Sequence, residues 1–113
     1  MPNDKALKPV VLTPAQLLAE EYPAIEGIYI CHNTTKQQYH IGMSNNVYLM
    51  AKRVFLGECN QAVFQDYQSG DSFSVTIRPL EGSGLYSLVT LAQHYIDRYG
   101  ANEDAYKLNY STP

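Results

Sequence analysis

Apolar and polar residues follow two different rhythms along this chain. Two short apolar runs, Gly27-Ile28-Tyr29-Ile30 and Tyr39-His40-Ile41-Gly42, flank the polar segment Asn33-Thr34-Thr35-Lys36-Gln37-Gln38. Runs joined by a polar turn predict a β-hairpin, and its pairing sets Tyr29 beside His40. A third run, Phe73-Ser74-Val75-Thr76-Ile77-Arg78-Pro79-Leu80, alternates apolar with polar, as a strand half-buried on one face does, and Pro79 limits its far end.

Between and after these runs the period changes to that of a helix. Thr13 before Pro14 supplies an N-cap with proline at the first helical position, and Gln16 stands where a capping-box partner would, so a short helix is expected from Pro14 to about Glu21, with Leu17 and Leu18 inward and Pro23 as its stop. Ser44 or Asn45 is expected to cap a second helix to about Leu56, with Val47, Met50, Ala51, Val54 and Phe55 on one stripe and Gly57 at its end. Asn60 or Gln61 opens a third, with Val63, Phe64 and Tyr67 inward, closed by Ser69-Gly70. After the loop Gly82-Ser83-Gly84, the residues Leu85, Leu88, Val89, Ala92, Tyr95 and Ile96 recur with helical period to about Tyr99, and Gly100 is the stop. Before the first helix, Pro9-Val10-Val11-Leu12 reads as a short extended piece. The segment from Ala101 to Pro113 reads as a polar loop wrapped on the body.

The resulting order is helix, strand, strand, helix, helix, strand, helix. It predicts an α+β domain, a small three-stranded antiparallel sheet with helices packed around it. Residues 1–24 form a lead-in with a short helix, and 25–113 form the body of one compact domain; the chain's 113 residues, 45% of them hydrophobic, suffice for a single core.

Charge changes the picture locally. The net charge is −3, which argues against a strongly basic clamp for nucleic acid. From Gly27 to Gly57, however, the only formal charges are Lys36, Lys52 and Arg53, so the hairpin and the helix after it form a stretch of positive sign between acidic flanks. No segment approaches the roughly 18 apolar residues of a membrane span, and no basic flank leads into a long apolar run. A soluble, cytoplasmic protein without membrane partners is expected, with Cys31 and Cys59 reduced.

The hairpin's residues carry a resemblance. Gly27-Ile28-Tyr29, then Ile41-Gly42 followed by Ser44 and Asn46, then Leu91-Ala92-Gln93-His94-Tyr95-Ile96-Asp97 and a late Asn109 fall at the spacing of the GIY-YIG nuclease family, over roughly residues 25 to 110. The resemblance implies a fold and a reaction. In that family two tyrosines and a water line the scissile phosphate, an arginine offsets the charge growing on it, and a glutamate holds one divalent metal. Carried onto this chain, Tyr29 keeps the first tyrosine's place and His40 takes the second's. The arginine's place, eight residues after Gly42, holds Met50, and the glutamate's place holds Ala92. A thioether and a methyl supply neither positive charge nor a hard oxygen ligand.

The resemblance thus implies a catalytically degenerate domain that binds nucleic acid or a protein partner through the old active-site face, with no cofactor. Gly27, Gly42, Ser44, Lys36, Lys52 and Asn109 are its expected binding residues. The alternative is a working endonuclease, dependent on Mg2+ or Mn2+, with a rearranged site of Tyr29, His40 and Arg53. Arg53 lies one turn beyond Met50 on nearly the same helix face, so its side chain has the length to reach back toward the hairpin.

Other chemistries lack support. Cys31 and His32 are adjacent and point to opposite faces of a strand, and the spacing of His40, Cys59 and His94 suits no zinc motif. Gly82-Ser83-Gly84 has neither the lysine nor the glycine spacing of a phosphate loop, and reads as a helix-capping turn. Ser44, Ser87 and His94 lie in no nucleophile-elbow context. The tyrosines, Tyr22, Tyr39, Tyr48, Tyr67, Tyr86 and Tyr99 among them, suit half-buried packing, base stacking or a protein interface.

Overall fold

The computed structural model describes residues 8–99 and the strand Asn109–Tyr110. Its elements are β1 (Val10–Leu12), α1 (Pro14–Ala19), β2 (Gly27–Asn33), β3 (Gln38–Ser44), α2 (Val47–Phe55), α3 (Gln61–Gln68), β4 (Phe73–Pro79), α4 (Leu88–Tyr99) and β5 (Asn109–Tyr110). They make an α+β domain around one sheet of order β1-β4-β2-β3-β5. The three expected strands form its antiparallel centre, β4-β2-β3. The sheet is wider than three strands because each edge gains one. Val10–Leu12 adds antiparallel to β4, and Asn109–Tyr110 adds parallel to β3 beside Gly42 and Met43. The rest of the expected tail loop, and the first residues of the lead-in, lie outside the described residues.

The sheet buries both faces. On one, β2 places Tyr29 and Cys31, β4 places Phe73, Val75 and Ile77, and α1, α2 and α3 cover them with Leu17, the α2 stripe and Val63. On the other, Ile28, Ile30, Ile41 and Met43 meet Leu91, Ala92 and Ile96 of α4. A central strand covered on both sides has no polar face to alternate with, which is why Gly27–Asn33 reads as a near-continuous apolar run. β4 keeps strict alternation because Ser74, Thr76 and Arg78, on the α4 side, stay half-buried beyond the main reach of that helix.

The helix ends follow local chemistry, with three corrections. Thr13 and Gln16 form the expected capping box, with Thr13 N donating to Gln16 Oε1 at 2.9 Å and Gln16 N donating to Thr13 Oγ1 at 3.1 Å, but α1 ends at Ala19. Neither Ser44 nor Asn45 caps α2. Asn46 holds that position without a side-chain bond, and the Val47 N–H donates instead to the Ile25 carbonyl at 2.9 Å. α4 starts at Leu88 rather than near Gly84, because Ser87 Oγ takes the Thr90 N–H at 3.2 Å; Leu85 packs from the loop, and Val89 turns outward. Gly57 does end α2, with a φ of 83° that an L side chain rarely adopts.

One buried polar residue ties the far end of the hairpin down. Asn33 is fully buried; its Oδ1 accepts from Thr35 N at 2.9 Å and Lys36 N at 3.0 Å, and its Nδ2 donates to Asp71 Oδ2 at 2.8 Å. The turn after β2 is thereby fastened to the loop that leads into β4.

At the near end, Tyr29 and Gly42 are direct cross-strand partners. A Cβ built on Gly42 would collide with the ring and hydroxyl of Tyr29, so the aromatic ring packs directly against a bare backbone. Gly42→Ala should therefore destabilise the fold by about 1–3 kcal/mol through overpacking. In a Tyr29→Leu background, where the colliding atoms are gone, the same substitution should cost well under half as much. Urea midpoints followed by circular dichroism measure both, and equal costs in the two backgrounds would contradict the contact.

Candidate functional site

Tyr29 and His40 face the helical side of the sheet that α1, α2 and α3 cover, and both are 0% exposed. The Tyr29 hydroxyl and His40 Nε2 are 3.4 Å apart, with the rings tilted 57° at 5.6 Å between centroids. Asn60 completes the arrangement from the start of α3. Its Oδ1 accepts from Val63 N at 3.1 Å, which fixes the amide and turns Nδ2 toward His40 Nδ1, 3.4 Å away.

The two ring nitrogens of His40 thus face different partners, Nε2 the Tyr29 hydroxyl and Nδ1 the Asn60 amide. A side chain that caps a helix also braces a histidine in the sheet.

Burial governs the remaining electrostatics. It pushes the Tyr29 phenol well above its ordinary range, and nearby Cys31 and Cys59 add to the rise. The Cys31 thiol is raised in the same way, by burial first and then by Cys59. Cys59, half-buried, is raised by burial too, with Arg53 pulling the other way. Cys31 and Cys59 stand as free thiols. A phenol held neutral in an apolar setting acts as a hydrogen-bond group, and its oxygen has no path to a substrate in solvent.

The other positions that the resemblance assigns divide between two places. Met50 shares the Tyr29 cluster, and Arg53 folds back on it, with Nη1 4.0 Å from the Met50 sulfur. Arg53 remains about half exposed, and its Nε lies 3.6 Å from Glu58 Oε1. Ala92 sits across the sheet, fully buried among Ile28, Ile41 and Leu91. A divalent cation does not fit these residues: the place of the metal-holding carboxylate is a methyl in a dry apolar cluster, on the face opposite Tyr29. Among the described residues no group of three or more His, Cys, Asp or Glu side chains is placed to hold a metal ion.

The expected binding residues have local tasks. Gly27 is close-packed, since a Cβ there would stand 2.5 Å from the Arg78 carbonyl oxygen. Ser44 is buried and its Oγ accepts from Asn46 N at 2.9 Å, shaping the entry to α2. Lys36 lies at the hairpin tip, about 20 Å along the strands from Ser44. Asn109 is beside Gly42 in the parallel β3–β5 pair.

The positive stretch is also answered from within the chain. Lys36 Nζ pairs with Asp66 at 2.8 Å and stands 3.9 Å from Asp71. Lys52 Nζ donates to the Glu20 carbonyl at 2.7 Å and lies 5.8 Å from the Tyr22 ring centre. With Arg53 beside Glu58, each of the three cations already has an internal partner.

Asn60 is the site residue that sequence reasoning missed as anything beyond a helix start. Its signal was positional, an Asn just before an apolar helical stripe, and nothing local reveals that the freed amide nitrogen meets His40, twenty residues earlier. Cys31 and His32 do point to opposite faces: Cys31 lies in the Tyr29 cluster, while His32 stacks on Tyr39 at 4.2 Å. No helix among the described residues is long and apolar enough to cross a membrane.

Compared with known proteins, the chain matches no family model, no curated protein and no solved structure.

The raised thiol and phenol make stability depend on alkaline pH. The folded chain holds these protons above the pH at which the unfolded chain releases them, so the unfolded state binds fewer protons and stability falls as pH rises. The contribution is intact below the ordinary cysteine value of about 8.5 and declines above it, more steeply past the tyrosine value of about 10. Urea midpoints measured across this range should fall accordingly, and Cys31→Val should flatten the slope between them by up to about 1.4 kcal/mol per pH unit. An unchanged slope in Cys31→Val would contradict the assignment.

Proposed function

We propose that this chain is a GIY-YIG-like domain that keeps the family's scaffold without its phosphodiester chemistry and serves as an interaction module for a protein partner. The observation that carries the reading is the enclosure of Tyr29 and His40. A phosphate must reach the groups that act on it, and both are fully buried, with His40 between the Tyr29 hydroxyl and the Asn60 amide. Met50 and Ala92 agree with it, since one lacks the cation and the other the carboxylate that the reaction needs.

A protein partner is preferred to nucleic acid on electrostatic grounds. Counterion release needs cations free to meet phosphates, and Lys36, Lys52 and Arg53 are engaged by the chain's own carboxylates and carbonyls. The outer side of α2 and the residue that caps its end instead offer Leu49 and Leu56, 43% and 55% exposed and seven residues apart. Apolar groups spaced this way on a helix suit contact with another protein surface.

A second reading has one observation in its favour. Arg53 lies against Met50, so a guanidinium stands close to the place of the missing arginine, as an endonuclease with a rearranged Tyr29, His40 and Arg53 site would require. Nicking of supercoiled plasmid with Mg2+ or Mn2+ separates the two. Neither the protein nor its Tyr29→Phe variant should nick above background, and no salt-dependent binding to branched, single-stranded or duplex DNA should appear at low ionic strength. Nicking that Tyr29→Phe abolishes would overturn the reading, and salt-dependent binding without nicking would move the partner from protein to nucleic acid.

A further inference from the structure

The face of the sheet opposite Tyr29 carries a pocket of about 270 Å³ between the end of β4, the loop after it and α4. Its polar lining comes from Arg78, Gly82, Ser83 and His94. The Arg78 guanidinium lies 4.6 Å from the centre of the Tyr95 ring, which fixes its plane. Its Nε is buried and has no acceptor among the described residues, and no ion pair there includes Arg78. The side chain as a whole is half-buried, so its charge stays near solvent, while a buried Nε donor without an acceptor is a rare arrangement. It contrasts with Lys36, Lys52 and Arg53, each answered nearby.

The rest of the lining selects among anions. Ser83 Oγ accepts from Leu85 N at 3.1 Å, which leaves its O–H to donate. Pro79, Leu85 and Leu91 supply apolar walls beside the Tyr95 ring. One planar cation, the Ser83 hydroxyl, the His94 ring and apolar walls suit a monoanion with a hydrocarbon body better than a free phosphate, which spreads a larger charge over more acceptors. A cavity of about 150 Å³ is enough for benzene, so the volume here admits a compact aromatic or aliphatic acid.

We propose that this pocket is a binding site for a small organic carboxylate, held by the Arg78 guanidinium and by Ser83, with its apolar part against Leu85, Leu91 and Tyr95. The site is on the face away from Tyr29 and His40 and is independent of whether the domain has nuclease chemistry or a protein partner.

Sodium benzoate is a suitable probe, titrated into the isotopically labelled chain while amide resonances are followed by nuclear magnetic resonance. Saturable shifts centred on Gly82, Ser83, Leu85, His94 and Tyr95 are expected. Benzamide, the same shape without the charge, and inorganic phosphate should each bind at least about tenfold more weakly, and Arg78→Gln should lose the benzoate response while keeping the rest of its spectrum. Equal binding of benzamide or of phosphate, an undiminished response in Arg78→Gln, or no saturable shift at these residues would each overturn the proposal. Should Arg78→Gln fail to fold, the comparison of benzoate with benzamide on the unaltered chain decides it.

Discussion

The contact on which the rest of this molecule depends is the ring of Tyr29 lying on Gly42. It joins the two central strands on the face that α2 must cover, and only a residue without a side chain allows it. Once the ring is down, its hydroxyl is committed to the interior beside His40, and His40 is held in turn by the amide that caps α3. A sheet contact, the placing of a buried histidine and a helix start are therefore one linked unit. Loosening any of them would weaken contacts of the other two in a buried setting, where polar contacts matter more than the modest worth of each bond suggests.

Two cores back to back explain how residues near in a motif come to be far apart in function. Odd and even positions of β2 and β3 feed different clusters, so a position on α4 cannot meet one on α2 through the sheet. Ala92 stands in one cluster and Met50 in the other, each as an apolar packing residue. The face with Tyr29 is sealed by three helices. Among the described residues α4 covers its face mainly over β2 and β3, and the margin toward β4 is where Arg78 lines a pocket.

Much of the fold was legible because it rests on local rhythm. The hairpin, the α2 stripe and the Thr13 capping box follow from side-chain period and from bonds between residues three apart. Edge strands carry little such signal. Val10–Leu12 is three residues long and Asn109–Tyr110 two, and both exist because a neighbouring strand offers unpaired backbone. The start of α4 was misplaced because Leu85 has helical spacing to Leu88 but packs from a loop, while the capping group is Ser87. The site was legible in residue type and not in environment. The run of Lys36, Lys52 and Arg53 without a carboxylate reads as a positive face, yet Asp66, thirty residues from Lys36, closes on it in space. Likewise nothing around Asn60 or Arg78 in the chain indicates that one meets His40 and the other keeps an unanswered donor.

The central claim is that Tyr29 is a sealed structural group whose phenol never meets solvent in the folded domain. Its direct test is a spectrophotometric titration of the phenols, comparing the unaltered chain with Tyr29→Phe over the alkaline range in which circular dichroism stays native. The two curves should show the same number of titrating tyrosines, because Tyr29 ionises only on unfolding. One fewer titrating phenol in Tyr29→Phe, within the native range, would mean that Tyr29 is open to solvent and would contradict the claim.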